Sequence, residues 1–130
     1  MIEPTEEHNR VAALVIDAAF AVHRALGAGL LESAYEQCLV CELTARGIAV
    51  ERQVGLPIVY RDMRIEGAYR IDLLVEGLVV VEVKATETAL PVHVAQLLTY
   101  LKLSGHQLGL LINFTVPLLK RGIKRLVRAS

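Results

Sequence analysis

The chain has 130 residues, of which 54% are hydrophobic, which indicates a folded domain with its own core and excludes a disordered chain. Lys and Arg balance Asp and Glu, 14 against 14, so no overall positive charge indicates a nucleic-acid partner. No apolar run approaches the roughly 20 residues that span a bilayer, and residues 1–7 lack the features of a signal peptide. We therefore expect a single cytoplasmic domain over residues 1–130 with no membrane partner.

The charged residues are unevenly distributed along the chain. Residues 115–130 contain no acidic side chain and five basic ones, Lys120, Arg121, Lys124, Arg125 and Arg128. A local basic segment can follow phosphate groups even on a neutral protein. A solvated chain end has the same composition, and the sequence leaves both interpretations open.

Two cysteines, Cys38 and Cys41, have the C-x-x-C spacing of redox and zinc sites. No second cysteine pair or nearby histidine pair completes a tetrahedral zinc site. Both lie within a helical pattern, where a buried free cysteine acts as a small hydrophobe. We expect this structural role for them.

Two helices are predicted in the first third of the chain. Apolar residues recur at steps of three and four over residues 6–26, the period of a helix with one buried face. The Gly-Ala-Gly segment at 27–29 interrupts this pattern. A second helix is predicted over residues 30–46, and Gly47 stands where a C-terminal cap residue belongs.

The pattern then changes to period two, which is typical of strands. We predict strands over residues 54–60, 69–75, 78–84 and 108–113, and a third helix over residues 92–104. Pro57 lacks an amide donor and favours an edge position for the first strand. The tail after Pro117 fits either a short helix or an edge strand. The order α-α-β-β-β-α-β predicts an α/β fold in which helices flank a mixed central β-sheet.

The strongest chemical signal comes from the two central predicted strands. Glu82 and Lys84 are two residues apart, so their side chains project from the same face of a strand. Burying unpaired charge is costly, so a strand this rich in valine needs a reason to carry them. On the preceding strand Asp72 alternates with apolar residues that we expect to share one core face, Ile71, Leu73 and Val75. Asp72 then joins Glu82 and Lys84 on the other face.

This arrangement of side chains depends on the number of residues in the turn at Glu76 and Gly77. A strict two-residue turn would pair Asp72 with Val81 and put its side chain on the wrong face. A three-residue turn, or a bulge at Gly77, restores the required register. We predict one of these two.

Two carboxylates on adjacent strands can hold Mg²⁺ or Mn²⁺, which prefer oxygen ligands. Such an ion polarises a phosphate and lowers the pKa of a bound water. An ammonium group beside it can orient that water or offset charge in the transition state. Asp72, Glu82 and Lys84 therefore predict metal-dependent phosphodiester hydrolysis. An ordinary Glu–Lys pair on a half-exposed sheet is the alternative that these three residues alone leave open.

Further candidates lie on the predicted helices. Glu32 falls in the first turn of the second helix, where the helix dipole favours a carboxylate, so capping alone would explain it. Gln96 and Tyr100 are four residues apart and share a helix face, although Tyr100 also fits the core. His23 could approach Glu32, but a lone histidine on a helix is more often a packing or capping residue.

Several segments together resemble one known family. The sequence Gly-Leu-Leu-Glu-Ser-Ala-Tyr at 29–35 matches the signature of the GxxExxY protein family, and the resemblance extends over about residues 10–128. It continues through Arg-Ile-Asp-Leu at 70–73, Val-Glu-Val-Lys-Ala at 81–85, Gln-Leu-Leu-Thr-Tyr-Leu at 96–101 and Gly-Leu-Leu-Ile-Asn-Phe at 109–114. That family is placed in the PD-(D/E)xK nuclease superfamily, which has a restriction-endonuclease-like core.

The resemblance implies a role for each candidate. Asp72 and Glu82 would hold the metal, and Lys84 would be the catalytic lysine. Glu32 would be the helix-borne acid, as a further metal ligand and a catalytic residue. Gln96 and Tyr100 resemble the Q-x-x-x-Y element that lies beside the active site of RecB-like nucleases.

The resulting hypothesis is a nuclease that uses Mg²⁺ or Mn²⁺ and acts on nucleic acid, DNA in preference to RNA. Because the chain has no inserted loops to grip a duplex, a homodimer or a partner protein could complete the substrate site. The alternative is a catalytically silent module with the same fold that binds nucleic acid or protein.

Overall fold

The computed structural model describes residues 3–88 and 90–128. These described residues form three α-helices, α1 (Glu6–Leu26), α2 (Glu32–Ala45) and α3 (Pro91–Ser104). The same part of the chain forms five strands, β1 (Val50–Tyr60), β2 (Met63–Val75), β3 (Val79–Lys84), β4 (Leu108–Asn113) and β5 (Ile123–Val127). A 3₁₀ turn, Leu119–Gly122, precedes β5. The tail after Pro117 thus contains both structures that its sequence left open.

The five strands form one mixed sheet in the order β1-β2-β3-β4-β5. Neighbouring strands are antiparallel except β3 and β4, which are parallel and joined through α3. The predicted α/β fold with a mixed sheet is confirmed, and β5 extends the predicted order by one strand. Pro57 lies on the edge strand β1 as predicted, at a register shift between Leu56 and Ile58 where its missing donor is tolerated.

Apolar side chains pack on both faces of the sheet. On one face α1 and α2 cover alternate residues of the central strands, such as Val81 and Ile112. On the other face α3 covers residues of opposite parity, such as Val80 and Leu111. The face under α3 is also the face of Glu82, because side chains two residues apart on a strand share a side. No helix among residues 3–88 and 90–128 is both long and apolar enough to cross a membrane.

The hairpin formed by β1 and β2 is much longer than the sequence predicts. The two strands pair along their whole length, whereas β2 pairs with β3 only from Leu73 to Val75. Residues 55–70, here called the hairpin arm, therefore project beyond β3 as a two-stranded ribbon. Residues 59–70 are all exposed, so no alternation of apolar and polar residues predicts this part of β2.

The turn between β2 and β3 has the predicted parity. Val75 pairs with Val79 across a three-residue turn, in which Glu76 and Gly77 have positive φ values of 53° and 66°. Asp72 consequently lies opposite Glu82. One expectation was wrong, because Ile71 packs in the α3 cluster instead of joining Leu73. The reason is that the part of β2 that precedes Leu73 in the chain no longer pairs with β3 and pairs only with β1.

The two cysteines lie in α2 as free thiols. Cys38 is half-buried and packs against the core beneath α1 and α2, as expected of a small hydrophobe. Cys41 is exposed, so the expected burial fails for it.

Candidate active site

The centre of the site is a pair of carboxylates that bridges two diverging strands. The backbone N–H of Asp72 donates to Oε2 of Glu82 at 3.0 Å, and the N–H of Val83 donates to Oδ2 of Asp72 at 2.9 Å. Regular pairing of β2 with β3 has ended one residue earlier, at Leu73 and Val81. The two side chains therefore accept backbone N–H groups where the hydrogen bonds between the two strands end. Their carboxylates are held next to each other where the strands separate.

The carboxyl group of Glu82 has a strongly raised pKa. Only 4% of the residue is exposed, and this burial, together with the neighbouring charge of Asp72, raises the pKa of Glu82 to about 9. The charge of Lys84 acts in the opposite direction but is the smaller influence. A buried carboxyl group next to a second carboxylate is costly to ionise without a counter-charge, so Glu82 retains its proton at neutral pH when no metal is bound.

Lys84 stands at the end of β3, two residues beyond Glu82 and on the same face. It is half-buried and makes no direct ion pair within residues 3–88 and 90–128. Its side chain lines two separate cavities, one on each side of the strand end. The ammonium group is therefore available to a bound molecule.

Glu32 is the first residue of α2, and the helix start brings it towards the carboxylate pair. Burial of the carboxyl group raises the pKa of Glu32, the nearby Lys84 lowers it, and Asp72 and Glu36 raise it further. The charges of Lys84 and Asp72 thus act on the Glu32 carboxyl group, although the residue is exposed. A role of Glu32 in the site stays a prediction.

Tyr35 fixes the start of α2. Its buried hydroxyl donates to the carbonyl of Gly27 at 2.5 Å and accepts the N–H of Leu30 at 3.1 Å. Its ring stacks on Phe114 with the centroids 4.5 Å apart. The loop reverses at Gly27, where φ is 75°, a conformation that favours glycine. The spacing of Glu32 and Tyr35 therefore has a physical reason, because the tyrosine anchors the loop that leads into Glu32.

Gln96 and Tyr100 project from α3 towards the same face of the sheet. Tyr100 is buried and belongs to the α3 cluster, as its alternative assignment to the core implied. The environment of the site also affects its hydroxyl. Burial raises the pKa of Tyr100, and the charges of Glu82 and Asp72 raise it further, while a hydrogen bond with Gln96 lowers it. Both residues line the larger of the two cavities beside Lys84.

Two basic residues of the tail reach the site, and sequence reasoning could not single them out. Glu82 pairs with Leu111 and Leu111 with Lys124, so these residues form one row across the sheet on the α3 face. Lys124 and Arg121 line the smaller cavity together with Lys84. Arg125 instead donates to Asn9 of α1 at 2.6 Å, on the other face. The basic segment is therefore divided between the two faces.

Glu36 is a second residue that the sequence did not indicate as part of the site. It lies one turn after Glu32 on α2, is 8% exposed and accepts a hydrogen bond from Nε2 of Gln53 at 2.7 Å. Gln53 has a positive φ of 50°. The only available signal was the spacing of four residues from Glu32, which places both acids on one helix face.

His23 does not face the carboxylate pair as a general base would. Its Nε2 donates to the carbonyl of Val116 at 2.8 Å, since a carbonyl can only accept, and its ring lies beside Phe114. It therefore serves the packing role that its lone position on a helix favoured. His93, by contrast, lines both cavities next to Lys84.

The donor set fits a divalent cation as a pair of ligands. Asp72 and Glu82 provide hard oxygen donors, and each uses one oxygen for a backbone N–H and leaves the other for a cation. Within the described part of the chain, no three acidic, histidine or cysteine side chains gather in metal-binding geometry. Glu32 as a third ligand, directly or through water, therefore stays a prediction.

Comparison with known proteins gives the class to which this site belongs. Residues 9–126 match the family model of the PD-(D/E)XK nuclease superfamily. Because this match spans most of the chain, the chain belongs to that superfamily, and its mixed sheet with flanking helices is the restriction-endonuclease-like core. Membership implies a nucleic-acid substrate, and nucleases of this superfamily typically use divalent metals. Neither the curated proteins nor the solved structures gave a significant match.

Proposed function

We propose that this chain is a metal-dependent nuclease of the GxxExxY type that hydrolyses phosphodiester bonds with Mg²⁺ or Mn²⁺, DNA in preference to RNA. The observation that carries the proposal is the carboxylate pair of Asp72 and Glu82, held where β2 and β3 separate, with Lys84 on the same face. The burial of Glu82 also supports the proposal, because a buried carboxyl group without an ion-pair partner among the described residues is costly unless it serves a ligand.

The metal would be held by Asp72 and Glu82, and when bound it supplies charge stabilisation for the phosphate and acidifies water. Lys84 orients the attacking water through its ammonium group and offsets the negative charge that grows on the phosphorus oxygens. The water oxygen forms a bond to phosphorus, the bond to the leaving oxygen breaks, and the leaving oxygen takes a proton from solvent water. Glu32 assists by accepting the proton that the water loses, directly or through a second water.

Gln96 and Tyr100 position the substrate in this proposal. Both line the cavity beside Lys84, and their amide and hydroxyl groups can donate to phosphate or sugar oxygens. Tyr100 remains protonated at neutral pH because its pKa is raised, so it can act as a donor. A cytoplasmic location, a single domain over residues 1–130, and a homodimer or partner protein remain predictions from the sequence.

The test is cleavage of labelled single- and double-stranded DNA and RNA in Mg²⁺, in Mn²⁺ and in EDTA. Wild-type protein is compared with Glu82→Gln, and Glu51→Gln serves as a control because Glu51 is an exposed acid on β1. We expect metal-dependent cleavage that Glu82→Gln removes and Glu51→Gln retains. Absence of cleavage of every substrate by folded protein that binds neither ion would contradict the proposal and favour the silent binding module.

A further inference from the structure

Two cavities of different character meet at Lys84. Both are lined by Lys84 and His93, and they extend to opposite sides of the end of β3. The first, here called the basic pocket, has a volume of about 220 Å³. The second, here called the aromatic cleft, has a volume of about 560 Å³. A molecule that reaches Lys84 therefore has two adjoining spaces to fill.

The charge of the basic pocket suits a phosphate group. Lys84, Arg121 and Lys124 contribute three positive charges to its walls, and Glu87 contributes one negative charge. Thr88 adds a hydroxyl group, whereas the hydroxyl of Thr86 already donates to the carbonyl of Thr88 at 3.0 Å. A net positive pocket of this size favours a compact anion.

The fold builds the basic pocket with close backbone packing. Asn113 is buried and holds the loop after β3, accepting the N–H of Thr86 at 3.2 Å and donating to its carbonyl at 2.9 Å. Gly122 lies so close to Asn113 that an added Cβ would be 2.2 Å from the Asn113 carbonyl oxygen. Only glycine permits this approach, which brings Arg121 and Lys124 to the pocket.

The aromatic cleft suits a flat apolar group with polar edges. Ile58 and Tyr69 of the hairpin arm form one wall, and Val92 and Leu103 of α3 are among the residues of the other. Tyr69 remains 42% exposed, with its ring tilted by 58° against that of Tyr100. Polar groups of the lining, such as Gln96, can meet the edge of a nucleobase, and a tyrosine ring is a surface on which a base stacks.

We propose that the basic pocket and the aromatic cleft together form a binding track for a single strand of nucleic acid, with one backbone phosphate in the pocket and one unpaired base on Tyr69. This inference rests on the proposed function and names its substrate class. A base of a duplex would first have to leave its stack, which costs a few kcal/mol, so single strands and frayed ends are the preferred substrates.

The test measures binding in EDTA, so that no metal-dependent turnover occurs, with oligonucleotides that contain 2-aminopurine, whose fluorescence falls when it stacks. We expect single strands to bind at least about ten-fold more tightly than the matching blunt duplex, with quenching. Tyr69→Ala weakens single-strand binding roughly ten- to hundred-fold and abolishes the quenching, whereas Tyr69→Phe retains both. Tyr60→Ala is the control, since Tyr60 is exposed on the same hairpin arm but does not line the cleft.

The basic pocket is tested with Lys124→Ala against Lys120→Ala, because both lysines are exposed and only Lys124 lines the pocket. Lys124→Ala should reduce the slope of log affinity against log salt by about 0.7, the value for one phosphate of a single strand, and Lys120→Ala should not. Oligonucleotides with and without 5′- and 3′-phosphates distinguish an internal phosphate from a terminal one.

The possible failures of the two proposals are separable. Equal binding of duplex and single strand, absence of quenching, or equal effects of each variant and its control would overturn the single-strand track. Cleavage that persists in that case would leave the nuclease proposal in place. Quenched single-strand binding without cleavage in Mg²⁺ or Mn²⁺ would support the track and overturn the nuclease.

Discussion

The carboxylates of Asp72 and Glu82 each accept a backbone N–H across the gap between two strands that have stopped pairing. The peptide N–H of Asp72 donates to the carboxylate of Glu82, and the carboxylate of Asp72 accepts the N–H of Val83. The same two side chains thus hold the strand ends in place and present their remaining oxygens to the site. Each side chain thus has a structural role as a hydrogen-bond acceptor and a chemical role as a negative charge, and a substitution can remove the charge while it keeps the acceptor.

Asp72→Asn should separate these roles. The asparagine oxygen can still accept the N–H of Val83, so we expect the protein to fold, while the loss of one negative ligand weakens metal binding. Cleavage should fall on the order of 10²–10³-fold, as for other lost electrostatic stabilisers. Titration calorimetry with Mn²⁺ and initial rates measure both effects. Asp62→Asn, in the exposed turn of the hairpin arm, is the control, and equal activity of the two variants would contradict the assignment.

The raised pKa of Glu82 predicts how the stability of metal-free protein depends on pH. The folded-state pKa of about 9 lies above the ordinary value of 4.5 for a glutamate, so the folded protein retains a proton that the unfolded chain releases. The contribution is complete below about pH 4.5 and is lost as the pH rises towards 9, by at most about 1.4 kcal/mol per unit.

Urea unfolding in EDTA at several pH values measures this slope. Glu82→Gln keeps an oxygen that can accept the N–H of Asp72 but does not titrate, so its stability should vary less between pH 5 and 9. A slope identical to that of the wild type would show that another group is responsible.

Tyr35→Phe should loosen the start of α2. The substitution removes the hydroxyl that bonds to the peptide groups of Gly27 and Leu30, and both hydrogen bonds are lost. We expect a loss of about 1–3 kcal/mol in the free energy of unfolding and a lower cleavage rate, because Glu32 follows this loop. Tyr60→Phe, on the exposed hairpin arm, should change neither quantity. Unchanged stability in Tyr35→Phe would refute the anchoring role.

Gly122→Ala should disturb the junction between β4 and β5. A methyl group there would lie 2.2 Å from the carbonyl oxygen of Asn113, so the backbone must shift. We expect a loss of about 1–3 kcal/mol, typical of overpacking, measured by thermal or urea unfolding. Gly55→Ala is the matched control, because a Cβ at Gly55 meets no atom within 4 Å. Similar stability of both variants would contradict the close packing described here.

Local periodicity predicted the parts of the fold that depend on neighbours in sequence. The helices, the shared face of Glu82 and Lys84, and the parity of the turn at Glu76 all follow from side-chain spacing. The outer part of β2 was missed because residues 59–70 are all exposed and have no alternation of buried apolar and exposed polar residues.

The site was predicted only as far as single elements extend. Asp72, Glu82 and Lys84 lie on consecutive strands, and their register follows from one turn. The contribution of Lys124 depends on β5 pairing with β4 at Leu111, a contact between segments that no local pattern specifies. Ile71 was assigned to the wrong core for the same reason, because the end of pairing between β2 and β3 is not encoded by alternation.

The central claim is that Lys84 and the carboxylate pair catalyse hydrolysis. The most direct measurement is the single-turnover cleavage rate of one labelled strand in Mn²⁺ by wild type and Lys84→Ala, with Lys102→Ala as an exposed control on α3. Because Lys84 makes no ion pair within the described residues, Lys84→Ala should fold and bind Mn²⁺ normally. We predict a rate lower on the order of 10²–10³-fold in Lys84→Ala alone. Cleavage by Lys84→Ala at the wild-type rate would contradict the account.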